Sequence, residues 1–277
     1  MTINCKGRLV DLTSPKVMGV LNITPDSFFD GGLYKDERSI LGQVEKMLAE
    51  GATFIDVGAY SSRPGADHVS EQEELSRMAP VIELILKKFP DTLISVDTFR
   101  SAVARKSIEL GAALINDISG GNLDADMFST IAELNVPYIA MHMQGTPQTM
   151  QNNPKYEDIV HDLIYFFSKK IDELHRLNVS DIIIDVGFGF GKTIAQNYDL
   201  LDKLSLFQNL DKPILAGVSR KSMLYKPLEI SPQEALNATT AANTVALLNG
   251  ANILRVHDVK EAVEAVKIVS LLKNQSN

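Results

Sequence analysis

The chain has 277 residues, enough for one large α/β domain or two small ones. Hydrophobic residues make up 45% and charged residues 22%, with 17 Gly and 11 Pro, which excludes a disordered, collagen-like or disulfide-stapled chain. Lys and Arg number 27 against 35 Asp and Glu; the net charge of −8 argues against a nucleic-acid partner, and any anionic ligand must meet locally clustered bases. Cys5 is the one cysteine, so no intrachain disulfide can form, a usage that suits a reducing compartment. No stretch reaches the roughly 20 uninterrupted apolar residues of a membrane helix, and the opening MTINCKGRLVDL lacks the apolar core of a signal peptide. A cytoplasmic protein with no membrane partner is expected.

Taken in chain order, apolar runs rich in β-branched residues recur eight times, as KVMGVLNI, TFIDVG, LISVD, ALINDI, PYIAMH, IIIDVG, PILAGVS and NILRVH. Between and after them a 3.6-residue period predicts helices over Ile40–Glu50, Glu71–Lys88, Ser101–Glu109, Met127–Leu134, Tyr156–Leu177, Asn197–Phe207, Pro232–Leu248 and Val259–Leu272. Strands apolar on both faces belong in a parallel sheet covered by helices. Eight strand-helix units in this length predict an α/β fold, the (β/α)8 TIM barrel, as one domain over residues 1–277. Residues 1–15 are expected to form a lid over the N-terminal end of the barrel.

Barrel active sites lie at the C-terminal ends of the strands, and here every strand end is polar. Asn22, Asp56, Asp97, Asn116 with Asp117, His142, Asp185, the SRKS segment and Arg255-Val256-His257-Asp258 close the eight runs in turn. Any one of these, Asp117 for example, is explained as a helix cap. Capping does not explain carboxylates, an amide and four bases converging on one mouth. Asp97, Asn116 and Asp185 form an acidic, amide-rich sector suited to a flat heterocycle that presents paired N–H groups. Arg63, Lys221, Arg255 and His257 form a basic sector suited to phosphate. Asn22 beside them supplies a neutral oxygen, and with ligand phosphates it makes a candidate Mg²⁺ site, since Mg²⁺ takes few protein ligands. The segment DVGFGFGKT fits neither phosphate-loop pattern: Val186 stands where Walker A needs Gly, and Lys192 where the dinucleotide fingerprint needs it. A mobile loop that brings backbone and Phe190 close to a ligand is expected there.

With MGVLNITPDSFFDGG, DVGAYSSRPGA, SVDTFR, INDISGG, MHMQGTPQTMQ, GFGFGK, SRKS and RVHDV in this order, the chain resembles the dihydropteroate synthases of folate biosynthesis over essentially its full length. The resemblance implies a transferase that condenses 6-hydroxymethyl-7,8-dihydropterin pyrophosphate with p-aminobenzoate, giving dihydropteroate and pyrophosphate, with Mg²⁺ as cofactor. No segment remains for a fused pyrophosphokinase or aldolase, so a monofunctional, bacterial-type enzyme and sulfonamide target is implied. The family's pterin pocket falls on Asp97, Asn116, Met141, Asp185 and Lys221, and its pyrophosphate and metal site on Asn22, Arg63, Arg255 and His257. Its p-aminobenzoate pocket falls on Phe28, Ser62, Pro64, Phe190, Lys221 and Ser222, with Asp30 closing the first loop. Asp97, Asp185, Lys221, Arg255 and His257 are the implied catalytic set, and a homodimer formed through the helices after strands six to eight is implied as well.

Three positions depart from the family: Val186 replaces a common Pro, Tyr60 a common Glu and Ser62 a frequent Thr. Two alternatives stay open on the sequence, a pterin-binding methyltransferase of the same barrel family and a catalytically silent pterin-binding barrel. The first would need neither the RPG segment nor SRKS, and the second would not need both sectors complete.

Overall fold

The structure, a computed structural model, describes residues 1–23, 33–60, 69–147, 149–150 and 154–274. A hairpin of β1 (Thr2–Cys5) and β2 (Arg8–Asp11) opens the chain. The barrel follows as β3 (Lys16–Asn22), β4 (Phe54–Gly58), β5 (Leu93–Asp97), β6 (Leu114–Asp117), β7 (Tyr138–Met141), β8 (Ile182–Asp185), β9 (Ile214–Ala216) and β10 (Ile253–Val256). All its pairings are parallel and β10 closes onto β3. The covering helices are α1 (Leu33–Ala49), α2 (Glu71–Lys88), α3 (Ser101–Glu109), α4 (Met127–Leu134), α5 (Ile159–Arg176), α6 (Ile194–Asp202), the one-turn α7 (Ser222–Tyr225), α8 (Leu236–Leu248) and α9 (Val259–Asn274).

Strand alternation divides the apolar residues into two cores. Ile55, Val57, Ile94, Val96, Ile115, Ile184 and Leu254 point outward and meet the helices. Met18, Phe54, Leu93, Leu114, Ile139, Ile183, Leu215 and Ile253, one from each barrel strand, point inward and fill the N-terminal half of the barrel. Ile3, Cys5, Val10 and Leu12 of the hairpin pack against that inner layer, so the hairpin plugs the N-terminal end. Burial pushes the Cys5 thiol up to about 12, which leaves it protonated and inert.

Four helices differ at their boundaries from those expected from periodicity. The first helix begins at Leu33, about two turns before Ile40. Helix α5 starts at Ile159 rather than Tyr156 because the Asp158 carboxylate accepts from the N–H groups of Val160 and His161, both at 3.0 Å. Helix α6 starts early, at Ile194, under a Thr193/Gln196 capping box, and its expected continuation to Phe207 is a separate 3-10 turn, Leu204–Leu210. Pro232 opens a 3-10 turn, Pro232–Glu234, ahead of α8.

Candidate active site

Adding two residues to each member of the inner layer gives Val20, Asp56, Ser95, Asn116, Met141, Asp185, Gly217 and Arg255, because the side-chain period of a strand is two. Adding two more gives Asn22 and Asp97. Registers align Asn22 with Gly58, Gly58 with Asp97, and Asp97 with Asn116. Backbone geometry thus places six of the ten expected site residues that are described on two adjacent interior tiers, above an apolar plug. Asp117 has the opposite phase: it accepts from Tyr138 Oη at 2.7 Å and from the Ser119 and Gly121 amides, so it braces a turn outside the mouth.

The floor is an ion-pair cluster that joins the acidic sector to one base of the basic sector. Arg255 bridges two carboxylates. Its Nε donates to Asp56 Oδ2 at 2.6 Å and its Nη2 to Asp97 Oδ2 at 2.7 Å. A buried carboxylate is costly alone and less so when a guanidinium shares its charge, and here one guanidinium serves two. Asn116 Nδ2 donates to the same Asp56 oxygen at 3.1 Å, which commits the amide's other end, Oδ1, as an acceptor. Asn116 Oδ1 and Asp56 Oδ1 are buried with no partner among the described residues, and such atoms in a mouth mark where a ligand's donors belong. Burial pushes Asp97 up to about 7, with Arg255 pulling the other way, and the paired carboxylates hold Arg255 above its ordinary range despite burial.

On the opposite wall stand Asp185 and Lys221. Asp185, 5% exposed, accepts from the Gly187 N–H at 2.8 Å, and burial raises its pKa against the pull of that N–H and of Lys221. Lys221 Nζ donates to the Phe188 carbonyl at 2.5 Å and lies 4.0 Å from the centre of the Phe190 ring, and burial pushes its pKa down to about 7. Two glycines make this approach possible. Gly187, at φ +69°, would carry a Cβ 2.1 Å from the His142 carbonyl, and a Cβ on Gly189 would lie 3.0 Å from Lys221 Cδ. In place of the mobile loop expected from its glycines, the segment is cross-braced throughout.

The rim comes from the loops after β9 and β10. Ser219 Oγ meets His257 Nδ1 at 3.0 Å, and Arg220 binds Asp258 through both Nε and Nη2 at 2.8 Å. The two loops are therefore tied together just ahead of Lys221. Ser222 opens α7, which is only four residues long, so the helix dipole expected there is slight and only local N–H groups remain. Met141 lies against Ile118, Met143 and Met150, with Phe190 packed on the same cluster. Phe28, Asp30, Ser62, Arg63 and Pro64 lie outside the described residues.

Residues 18–257 match the pterin binding enzyme family. The dihydropteroate synthase of Escherichia coli K12 is 42% identical over 271 residues, 97% of this chain and 95% of that protein. The chain belongs to the dihydropteroate synthase family. The crystal structure of the Yersinia pestis dihydropteroate synthase in complex with a sulfonamide drug superposes with a TM-score of 0.92 at 42% identity, covering 99% of this chain and all of that one. The Xanthomonas albilineans dihydropteroate synthase with 4-aminobenzoic acid gives a TM-score of 0.91 at 35% identity, with 98% of each chain covered. The protein is thus a transferase of folate synthesis on an α/β TIM barrel.

Two of the departures from the family lie in described positions. Val186 is buried in the core between barrel and helices. Tyr60 stacks edge-on against Phe99 at 5.1 Å, and the Arg100 guanidinium lies over both rings, 5.6 and 5.0 Å from their centres. Sequence reasoning passed over Asp56 and Lys192 as site residues. Strand phase would have found Asp56, since it shares the inward parity of Asp97 and Asn116. No sequence signal marks Lys192 as buried.

Proposed function

We propose that the two interior tiers bind the dihydropterin and that the rim binds the pyrophosphate and p-aminobenzoate of the dihydropteroate synthase reaction. Asp97, Asn116, Met141, Asp185 and Lys221 surround the pterin; Asn22, Arg63, Arg255 and His257 take the pyrophosphate; Phe28, Ser62, Pro64, Phe190, Lys221 and Ser222 take p-aminobenzoate, with Asp30 closing the first loop. The buried, unpartnered Asn116 Oδ1 beside two carboxylates carries the assignment. A pterin edge offers the paired N–H donors this acceptor row lacks, and an anionic heterocycle would be repelled by it.

Departure of pyrophosphate leaves positive charge on the pterin CH₂ and ring. Ionised Asp97 and Asp185 are complementary to that cation more than to the neutral ground state, the differential binding that lowers a barrel-bound S_N1-like barrier. Arg255 spends two of its N–H groups on Asp56 and Asp97; its others face leaving-group charge. The aniline nitrogen attacks as a neutral nucleophile, so no strong base is required. For the metal, no group of three His, Cys, Asp or Glu side chains capable of holding an ion is found among the described residues. A neutral amide such as Asn22 fits Mg²⁺ that takes its remaining ligands from diphosphate and water. Bound there, Mg²⁺ would supply charge neutralisation for the leaving group.

A pyrophosphate-release assay tests the reading: release on mixing dihydropterin pyrophosphate with p-aminobenzoate, and coupled formation of dihydropteroate, is expected. Absence of release with both substrates would overturn it. The pH profile of kcat/KM should be a narrow bell centred near 7. Ionised Asp97 is lost as pH falls through about 7, and protonated Lys221 is lost as pH rises through about 7. Lys221→Arg should flatten the alkaline limb alone, because a guanidinium stays charged. A flat wild-type profile between about pH 6 and pH 9 would refute both roles.

A second copy of the chain is the proposed macromolecular partner. Val245 and Leu248 on α8, Ile268 and Leu271 on α9, and Tyr198 on α6 are 40–61% exposed on the helices after β8 to β10. Light scattering is expected to give twice the 30.4 kDa chain mass; the single-chain mass at high concentration would exclude the dimer. No described helix is long and apolar enough to cross a membrane, and a cytoplasmic location is proposed on the sequence features above.

A further inference from the structure

Lys192 is the least exposed lysine or arginine among the described residues, at 4%, and the reaction leaves it without a task. Its Nζ donates to the carbonyls of Phe190 at 2.9 Å, Gly187 at 3.0 Å and His142 at 3.1 Å, and lies 3.1 Å from His142 Nδ1. All four partners are neutral groups. Burial pushes His142 down to about 2, so its ring stays neutral and Nδ1 offers a lone pair to the ammonium. Burial also pushes Lys192 down to about 7, with Asp185 acting against this through space. A buried ammonium with no paired carboxylate is expensive. Its four converging acceptors leave a point that only a strong donor can satisfy.

The consequence lies in the peptide planes of the glycine loop. Gly187 and Phe190 turn their carbonyls to Lys192, while the Phe188 carbonyl turns the other way and accepts from Lys221 Nζ. Gly189 N–H is held by Asn197 Oδ1 at 2.7 Å, and the Gly191 carbonyl by Tyr156 Oη at 2.8 Å. With both ends of the turn fixed, the Phe190 ring sits under the Lys221 ammonium.

We propose that Lys192 is a positioning residue, an internal cation that pins the Gly187–Gly191 turn so that the Phe188 carbonyl and the Phe190 ring hold Lys221 in place on the p-aminobenzoate side of the mouth. This rests on the reading that Phe190 and Lys221 meet the substrates. Lys192 touches no substrate itself; it acts through the loop.

Lys192→Met keeps most of the volume and removes every donor, and Lys192→Gln restores part of the donor capacity. In the pyrophosphate-release assay, Lys192→Met should raise the KM for p-aminobenzoate at least tenfold, with kcat within threefold of wild type, and Lys192→Gln should fall between. A residue needed only for folding would lower thermal stability without splitting KM from kcat. Unchanged KM in a folded variant overturns the proposal, as does a loss confined to kcat. Failure of both variants to fold would also overturn it, by assigning Lys192 to the folding core. Wild-type protein runs in the same assay, so a failed functional reading shows as a silent wild type and is distinct from a failed latch.

Discussion

Arg255→Met is expected to lower the free energy of unfolding by about 3–5 kcal/mol, the cost of stripping a buried charge of its partner, and to abolish measurable turnover. Asp56 has no exposed surface and accepts from Arg255 and Asn116 on one oxygen, while its other oxygen has no partner among the described residues. Asp97 depends on the same guanidinium. Without it, two carboxylates face each other across the floor and at least one must take up a proton, so Asp97 moves further above about 7 and cannot stabilise a cation. Arg255→Met combined with Asp56→Asn should recover much of the lost stability, since the uncompensated charge is gone, yet recover no activity. Denaturant unfolding of the two variants separates the effects. A single variant within about 1 kcal/mol of wild type, the scale of an exposed pair, would show that the cluster is solvated.

Fold and site were legible in the sequence to different depths, and the reason is the range of the interactions involved. Eight apolar runs separated by helical periods announce a barrel because burial of both strand faces is a local compositional fact. The helices bounded by strong local signals, such as Glu71–Lys88 after Ser70, were readable to the residue. Those that end by handing over to 3-10 turns, as at Lys203, were not. Strand-end positions of Asp97, Asn116 and Asp185 were equally readable. What the sequence does not display is who pairs with whom across the mouth. Arg255 lies 199 residues from Asp56 and 158 from Asp97, and only closure of β10 onto β3 brings it over the acidic floor. Charge alone therefore does not reveal that Arg255 also pairs with the acidic floor. Lys192 was hidden for a related reason: a lysine after a glycine run reads as solvent-facing, and its burial follows from Gly187 and the His142 carbonyl meeting where β7 and β8 end.

Asp185→Asn should separate catalysis from stability most cleanly. The carboxylate keeps one oxygen on the Gly187 N–H at 2.8 Å, and its other oxygen faces the mouth. An amide has one acceptor oxygen. If that oxygen stays on Gly187, the NH₂ group turns toward the mouth, where Lys221 and the pterin N–H donors already point. If the amide flips, two N–H groups collide at Gly187. Either way the ground-state contact and the negative charge that stabilises the pterin cation are both lost. The expected fall in kcat/KM corresponds to about 2–4 kcal/mol, or roughly 30- to 900-fold at 1.36 kcal/mol per decade. Stability should move the other way or stay level. Burial holds the Asp185 pKa above its unfolded value of 3.8, so at neutral pH the folded protein carries a charge that burial disfavours, and a neutral side chain removes that cost. Steady-state kinetics and urea unfolding on the same preparation check both halves. Wild-type kcat/KM in the variant would refute the assignment of Asp185 to the pterin, and a loss of stability matching the loss of activity would show that the carboxylate serves the fold.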